Sequence, residues 1–211
     1  MSAAPVSFAR AGVWRGFVHA QPLAPGVALY GLVFGVLAGE RGLGWAQAVL
    51  MSTLVYSGSA QLAALQVWSS TPAIAAVLLT VAAINARYLL YGAALQPWLV
   101  QVRGPRAWAS LFLLGDGRWV LAMRKYEKGE RDAGYVLGTG FAGVLPWVGG
   151  TLVGHLLTRD MPDPRGWGLD FMLPAFAAAI GISVWRGRAD WLPLLAALGA
   201  AMAVHKLVPG G

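Results

Sequence analysis

The sequence predicts an all-α membrane protein, a polytopic helix bundle of about seven transmembrane segments, some of them discontinuous or kinked. Of its 211 residues, 57% are hydrophobic and 12% are charged, whereas about a quarter of a typical soluble domain is charged. The apolar residues form blocks near the ~20 residues that a helix needs to cross the hydrocarbon core. Charged residues are concentrated between these blocks, as in the loops of integral membrane proteins.

The chain divides into an N-terminal segment, residues 1–21, and a single transmembrane domain, residues 22–208. Phe8, Trp14 and Phe17 predict an amphipathic helix at the membrane interface in the first segment, with a disordered tail as the alternative. Arg10 and Arg15 interrupt this segment, so we expect no cleavable signal peptide. The predicted spans are residues 22–39, 45–68, 73–100, 107–123, 133–157, 169–185 and 191–208.

Local signals mark these spans in order. Pro22 precedes the first span, tryptophans flank the second, and Pro72 suits the start of the third. The fourth is short and contains the ionisable residues Asp116 and Arg118, and the fifth is glycine-rich with Pro146 inside it. Polar loops precede the sixth and seventh spans.

The loop charges favour a cytoplasmic N-terminus. This orientation puts eight loop lysines and arginines inside and six outside, the sign expected from the positive-inside rule. The eight are Arg10, Arg15, Arg124, Lys125, Lys128, Arg131, Arg186 and Arg188.

Arg87 lies near the centre of the third span, about a dozen residues from either end. A charge at that depth costs at least ~2.5–3.5 kcal/mol, so we expect it to face protein or a wet cavity and to have a partner. Asp116, a backbone carbonyl at a helix break, or a substrate carboxylate could be that partner. Asn85 and Tyr91 flank Arg87 as further candidates for a binding site. The alternative is that Arg87 only holds helices together.

A second polar stretch, "YSGSAQ", lies in the middle of the second span and contains Ser57, Gly58, Ser59 and Gln61. Small and hydroxylated residues suit a discontinuous helix whose ends grip a zwitterion or an ion. They suit a tight seam between two helices equally well. The amide of Gln61 favours the binding site, because a seam needs no amide.

Two acids complete the candidates. Asp116 in "LLGDGRW" is the one acid well inside a predicted span, where it could carry a proton or form a static ion pair with an arginine. Asp170 lies near the start of the sixth span, where capping of the helix is favoured over a role in binding.

Several other functions are disfavoured. Cysteine is absent, and the sequence contains no phosphate-binding G-x-x-x-x-G-K-[ST], no H-E-x-x-H and no G-x-S-x-G. We therefore expect no enzyme activity, no metal and no cofactor. The net charge of +7 resides between apolar blocks rather than along a polar stripe, which argues against nucleic-acid binding.

The segments "YSGSAQ", "NARYLLYG" and "GLDFMLPAF" resemble the AzlC-type branched-chain amino acid permeases, in order and in spacing. The resemblance implies a multi-pass protein of the bacterial inner membrane that exports branched-chain amino acids together with a small AzlD-type membrane subunit. It also implies that the substrate-binding positions are Gly58, Ser59, Gln61, Asn85, Arg87 and Tyr91. Asp116 falls where that family shows an acid, often followed by a second one; here Gly117 follows.

The sequence therefore favours a secondary transporter for aliphatic amino acids, with Asp116 as the candidate group for coupling to the proton gradient. A passive channel, or an accessory membrane subunit without its own transport cycle, is the alternative.

Overall fold

A computed structural model describes residues 5–68, 73–102, 104–158, 185, 187 and 190–207. No β-strand occurs in these ranges, which confirms the predicted all-α class. A 3₁₀ turn, Gln21–Leu23, joins the first two helices. The helices are α1 Arg10–Ala20, α2 Ala24–Glu40, α3 Trp45–Leu54, α4 Gly58–Gln66, α5 Ile74–Asn85, α6 Arg87–Leu99, α7 Pro105–Phe112, α8 Asp116–Glu127, α9 Gly134–Leu157 and α10 Trp191–Leu207.

Within the described residues, three helical stretches are long and apolar enough to cross a membrane: Arg10–Glu40, Ile74–Leu99 and Gly134–Leu157. The last two match the third and fifth predicted spans. The first contains the predicted span 22–39 and begins twelve residues earlier, inside the segment predicted to lie at the interface. The second predicted span consists of α3 and α4, which confirms the discontinuous helix that was one of its two alternatives. The fourth consists of α7 and α8, a break that the sequence did not indicate. The sixth span, including Asp170, lies outside the described residues.

The chain forms two compact units, residues 1–174 and 175–211. Helices α1 to α9 belong to the first unit. Helix α10 belongs to the second and occupies the position of the seventh predicted span.

Helices α2 and α9 pack closely along their length because glycines line the contact. A Cβ on Gly31 would overlap the carbonyl oxygen of Trp147, and one on Gly35 would overlap that of Thr151. Residue numbers rise along the contact in both helices, so the two helices run parallel. Small residues allow this approach, and van der Waals contact between the backbones stabilises it in a membrane.

The N-terminal segment is fastened to the start of α9. The Ser7 N–H donates to the Arg131 carbonyl at 3.0 Å, and Asp132 Oδ1 accepts from the Ala9 and Gly134 backbone N–H groups at 3.0 Å each. Arg15 forms an ion pair with Glu130 at 3.3 Å. Helix α1 confirms the helical alternative for this segment, and these contacts place residues 7–9 and the loop that precedes α9 on one side of the unit.

These contacts also affect the ionisation of Glu130. Its partial burial opposes the charged form, but the Asp132 backbone N–H, the Arg15 charge and the Arg131 backbone N–H favour it. The net result is that the pKa of Glu130 is lowered from its ordinary value.

Candidate functional site

The candidate site is built at the beginnings of three short helices. Ser57 is the residue just before α4, Ser59 is the second residue of that helix, and Arg87 and Asp116 are the first residues of α6 and α8. The side chains of these residues, with that of Tyr91, meet in one hydrogen-bonded group, which we call the arginine cluster.

Arg87 is the centre of the arginine cluster. Its Nη1 donates to Ser59 Oγ at 2.9 Å, and its Nη2 donates to Ser57 Oγ at 3.3 Å and to Asp116 Oδ2 at 3.1 Å. Its Nε lies 3.0 Å from Asp116 Oδ1, a charge contact in which the N–H is not aligned for a hydrogen bond. The Asp116 carboxylate therefore occupies the side of the guanidinium that carries Nε and Nη2.

Aromatic side chains surround this ion pair. The Tyr91 hydroxyl donates to Asp116 Oδ1 at 3.0 Å, and the Tyr91 ring stacks on Trp119 with centroids 4.6 Å apart. The Arg87 guanidinium carbon lies 5.2 Å from the centroid of the Tyr88 ring. The side chains of Arg87 and Asp116 are each 28% exposed, so the pair is enclosed but reachable.

Tertiary packing holds open the break between α3 and α4. Tyr56 adopts a φ of 46°, in the left-handed region that costs energy for a residue other than glycine. Its buried ring packs edge-on against Trp147 at 6.5 Å, and its hydroxyl donates to the Gly140 carbonyl at 3.4 Å. Gly58 follows the break, and a Cβ there would overlap the Tyr30 ring. Gly58 thus lets α4 begin against α2 and α9.

The arginine cluster has a positive electrostatic character. The N-terminus of a helix carries a partial positive charge because its first N–H groups lack helical partners. Arg87 adds a full positive charge where the beginnings of α4 and α8 contribute theirs. Asp116 supplies the one full negative charge bonded to it in the described part of the chain. Such an arrangement suits a carboxylate, as at the half-helix ends of secondary transporters.

Gln61 does not join the arginine cluster. It is fully buried, and its amide donates to Ser52 Oγ at 3.0 Å. Ser52 lies 2.7 Å from Thr151 Oγ1, which donates to the Trp147 carbonyl at 3.0 Å. The amide oxygen of Gln61 is buried with no hydrogen-bond donor. This polar chain joins α3 and α4 to α9.

The remaining candidate positions are less informative. The amide oxygen of Asn85, at the end of α5, is buried without a hydrogen bond, and no contact joins Asn85 to Arg87. His155 contacts the Leu43 carbonyl at 2.8 Å, which joins the last turns of α9 to the loop after α2. Among the described residues, no group of three or more His, Cys, Asp or Glu could hold a metal ion.

Sequence reasoning did not select Arg118 or Tyr56 as site residues. The Arg118 guanidinium carbon lies 5.0 Å from the Tyr56 ring centroid. In sequence, Tyr56 immediately precedes Ser57, and Arg118 is two residues after Asp116. A charged residue inside a predicted span was the available signal for Arg118. No sequence pattern indicated that Tyr56 would occupy the helix break.

Comparison with known proteins identifies relatives across most of the chain. The family model described as AzlC protein matches residues 22–159. Inner membrane protein YgaZ of Escherichia coli K12 is 27% identical, over 81% of this chain and 71% of that protein. An uncharacterized membrane protein of Helicobacter pylori J99 is 23% identical, over 86% of this chain and 81% of its own length. No solved structure matches.

Proposed function

The chain belongs to the AzlC family, and we propose that it is a secondary transporter that exports branched-chain amino acids across the bacterial inner membrane. The family is of the transporter type, and its relatives are membrane proteins. The observation that supports the proposal most strongly is the Arg87–Asp116 pair, positioned at the beginnings of discontinuous helices. Substrates of secondary transporters bind at such positions.

The arginine cluster offers partners for both charges of an amino acid. The planar guanidinium of Arg87 matches a carboxylate bidentately, and the Ser57 and Ser59 hydroxyls already contact it. Asp116 offers a carboxylate to the ammonium group. In the structure Asp116 occupies the Arg87 edge that a substrate carboxylate would use. Binding of the substrate carboxylate to Arg87 therefore requires Asp116 to exchange Arg87 for the ammonium group.

This exchange provides a route to coupling with the proton gradient. Asp116 binds either the ammonium group of the substrate or a proton, so the two compete for one carboxylate. A proton that arrives from outside displaces the ammonium group and releases the substrate there. Loss of that proton to the cytoplasm restores the ion pair with Arg87, so that proton entry drives export of the substrate. The cycle needs no ATP, in agreement with the absence of a phosphate-binding motif from the sequence.

We propose that the N-terminus is cytoplasmic and that a small AzlD-like subunit accompanies the chain. The contact of Ser7 with Arg131 supports one shared side for the N-terminus and the basic loop after α8. The positive-inside rule then favours the cytoplasm for both. Because the chain contains no cysteine, a single cysteine at Lys128 can be labelled from either side of a vesicle to test this orientation.

The function is tested by counterflow of labelled leucine, isoleucine and valine in vesicles, with and without the small subunit. A carrier shows trans-stimulation by unlabelled substrate, whereas a passive channel does not. We expect Arg87→Lys to lower the transport efficiency by about tenfold or more, because a lysine cannot form the bidentate contact. Arg106→Lys is the matched control, since Arg106 contacts the Phe8 ring outside the arginine cluster.

Asp116→Asn separates binding from coupling. We expect this variant to retain counterflow at saturating substrate with a raised KM, because an amide offers the ammonium group no charge. We expect it to lose accumulation driven by a pH gradient, because an amide cannot carry the proton. Absence of trans-stimulation by any aliphatic amino acid in the complete system would refute the transport proposal. Full gradient-driven accumulation by Asp116→Asn would refute the coupling.

A further inference from the structure

Arg118 is a second guanidinium next to the arginine cluster, and no acid in the described part of the chain pairs with it. Within the described ranges, the ion pairs of the chain involve Arg15 and Arg87, and none involves Arg118. The Arg118 Nε is shielded from solvent and has no hydrogen-bond acceptor. Its contact with the Tyr56 ring, 5.0 Å from centroid to guanidinium carbon, offsets only part of the cost of burying a charge.

The two arginines flank the same two helix beginnings. At the break before α4, Tyr56 lies under Arg118 and Ser57 bonds to Arg87. At the break before α8, a Cβ on Gly115 would overlap the Arg118 guanidinium, while Asp116 bonds to Arg87. At each helix break, one residue lies against the Arg118 guanidinium and the next residue bonds to Arg87. The two guanidinium groups therefore lie beside the same two breaks.

Among the described residues, the charges at these junctions do not balance. Arg87 and Arg118 contribute two positive charges there and Asp116 contributes one negative charge, so one positive charge is left over. Arg118 also lies in the first turn of α8, where the helix end is itself partly positive. A low-dielectric environment makes such an excess costly, and a bound anion relieves it.

We infer that Arg118 binds the carboxylate of the transported amino acid while Asp116 still occupies Arg87. This inference rests on the proposed transport function and names a second binding residue for the same site. In the conformation seen here the edge of Arg87 is taken by Asp116, whereas Arg118 has no acidic partner among the described residues. Arg118 thus receives the substrate first, and the ammonium group of the substrate faces Asp116.

Two glycines leave the space that the Arg118 guanidinium occupies. A Cβ on Gly143 would overlap Nη1 of Arg118 and would lie 2.6 Å from the Tyr56 hydroxyl oxygen. A Cβ on Gly115 would overlap Nη2. Because the end of an arginine side chain is flexible, an alanine at position 143 displaces the guanidinium without moving a backbone. Gly149 on the same helix has no atom within 4 Å of its Cβ position, which makes it the matched control.

The test compares leucine with leucinamide, which keeps the side chain and the ammonium group but lacks the carboxylate. Both are measured as competitors of labelled leucine uptake in vesicles that contain the complete transport system. We expect Arg118→Gln to raise the KM for leucine by about tenfold or more, while the inhibition constant of leucinamide stays near its original value. The preference for leucine over leucinamide therefore shrinks by the same factor.

Gly143→Ala keeps the inference testable even where Arg118→Gln fails to fold. We expect Gly143→Ala to raise the KM for leucine and to leave the inhibition constant of leucinamide unchanged. We expect Gly149→Ala to change neither constant. An unchanged leucine preference in folded Arg118→Gln, or in folded Gly143→Ala, overturns the role of Arg118. Failure of the unmodified chain to transport any aliphatic amino acid refutes the proposed function instead, so the two failures are distinguishable.

Discussion

The contact between α2 and α9 predicts opposite effects for two neighbouring glycine-to-alanine substitutions. Gly150 faces α2, where its Cβ would overlap the Ala28 carbonyl oxygen and lie 3.0 Å from both the Ala28 carbonyl carbon and the Leu32 nitrogen. Gly149 is exposed, and nothing lies within 4 Å of its Cβ position. All three atoms near Gly150 belong to the backbone, so no side-chain rotation can relieve the overlap.

The expected magnitude follows from two terms. Overpacking costs about 1–3 kcal/mol, and optimal contacts between carbon atoms lie near ~3.5–4.0 Å, so α2 and α9 must separate by about 1 Å. Alanine is favoured over glycine inside a helix by up to about 1 kcal/mol. This second term is common to both substitutions and cancels in their difference. Gly150→Ala should therefore be less stable than Gly149→Ala by about 1–3 kcal/mol.

The free energy of unfolding can be followed by tryptophan fluorescence in mixed micelles of dodecylmaltoside and SDS, because the chain contains ten tryptophans. We expect Gly149→Ala to be as stable as the unmodified chain or slightly more stable. Equal stability of the two variants, within about 0.5 kcal/mol, would show that α2 and α9 do not touch at Gly150. The parallel packing described above would then be wrong.

Three further predictions concern the polar contacts. Ser52→Ala should lower the free energy of unfolding by about 1–3 kcal/mol, because it leaves the buried Gln61 amide N–H without an acceptor. Gln61→Leu should lower the free energy of unfolding by less, because it also removes an unpaired acceptor. The same micelle titration compares the two variants. The pKa of Glu130 is lowered in the folded state, so its charge stabilises the fold above its ordinary pKa near 4.5, and this stability is lost as pH falls. Glu130→Gln should therefore make the melting temperature depend less steeply on pH below pH 4.5. Arg87→Gln combined with Asp116→Asn should be more stable than the sum of the two single losses predicts, which a double-mutant cycle measures; strict additivity would contradict the ion pair.

The sequence allowed much of the fold to be predicted because the apolar blocks and the polar breaks are both local signals. It also indicated that Arg87 needs a partner, and Asp116 was among the candidates. The structure selects Asp116, 29 residues away in sequence, rather than a backbone carbonyl. Asp116 does not pair with the nearby Arg118, because residues two apart on a helix point to different faces. A single sequence cannot choose between such partners, since the choice depends on how α6 meets α8.

Gln61 illustrates what the sequence could not resolve. Its proximity to Ser59 suggested a shared site, yet the two residues are also two apart on α4 and face different neighbours. Ser59 reaches Arg87 on one face, and Gln61 reaches Ser52 on the other. Whether Gln61, Gly58 and Asn85 contact substrate stays a prediction. The helix break that separates these faces depends on the left-handed Tyr56, which only the tertiary packing of its ring stabilises.

The path of the chain between α2 and α9 follows from their direction. The stretch Arg10–Glu40, which ends with α2, and helix α9 are both long and apolar enough to cross the membrane. Because α2 and α9 run parallel, two such crossings require the chain to recross the membrane an odd number of times between them. Helices α5 and α6 form one 26-residue crossing. The question is whether the two broken pairs, α3–α4 and α7–α8, cross as well or fold back as re-entrant hairpins.

The arginine cluster answers this question. The arginine cluster lies at the junction of α5 and α6, halfway along their span, so α4 and α8 begin near the middle of the membrane. At ~1.5 Å per residue, each broken pair is about 30 Å long in total, the thickness of the hydrocarbon core. A re-entrant hairpin would pack its two helices side by side, but α3 hardly touches α4, and α7 hardly touches α8. We therefore predict that each pair continues across the membrane, which makes α9 the fifth crossing. This path brings the loop before α9 back to the side of the N-terminal segment, in agreement with the Ser7–Arg131 hydrogen bond.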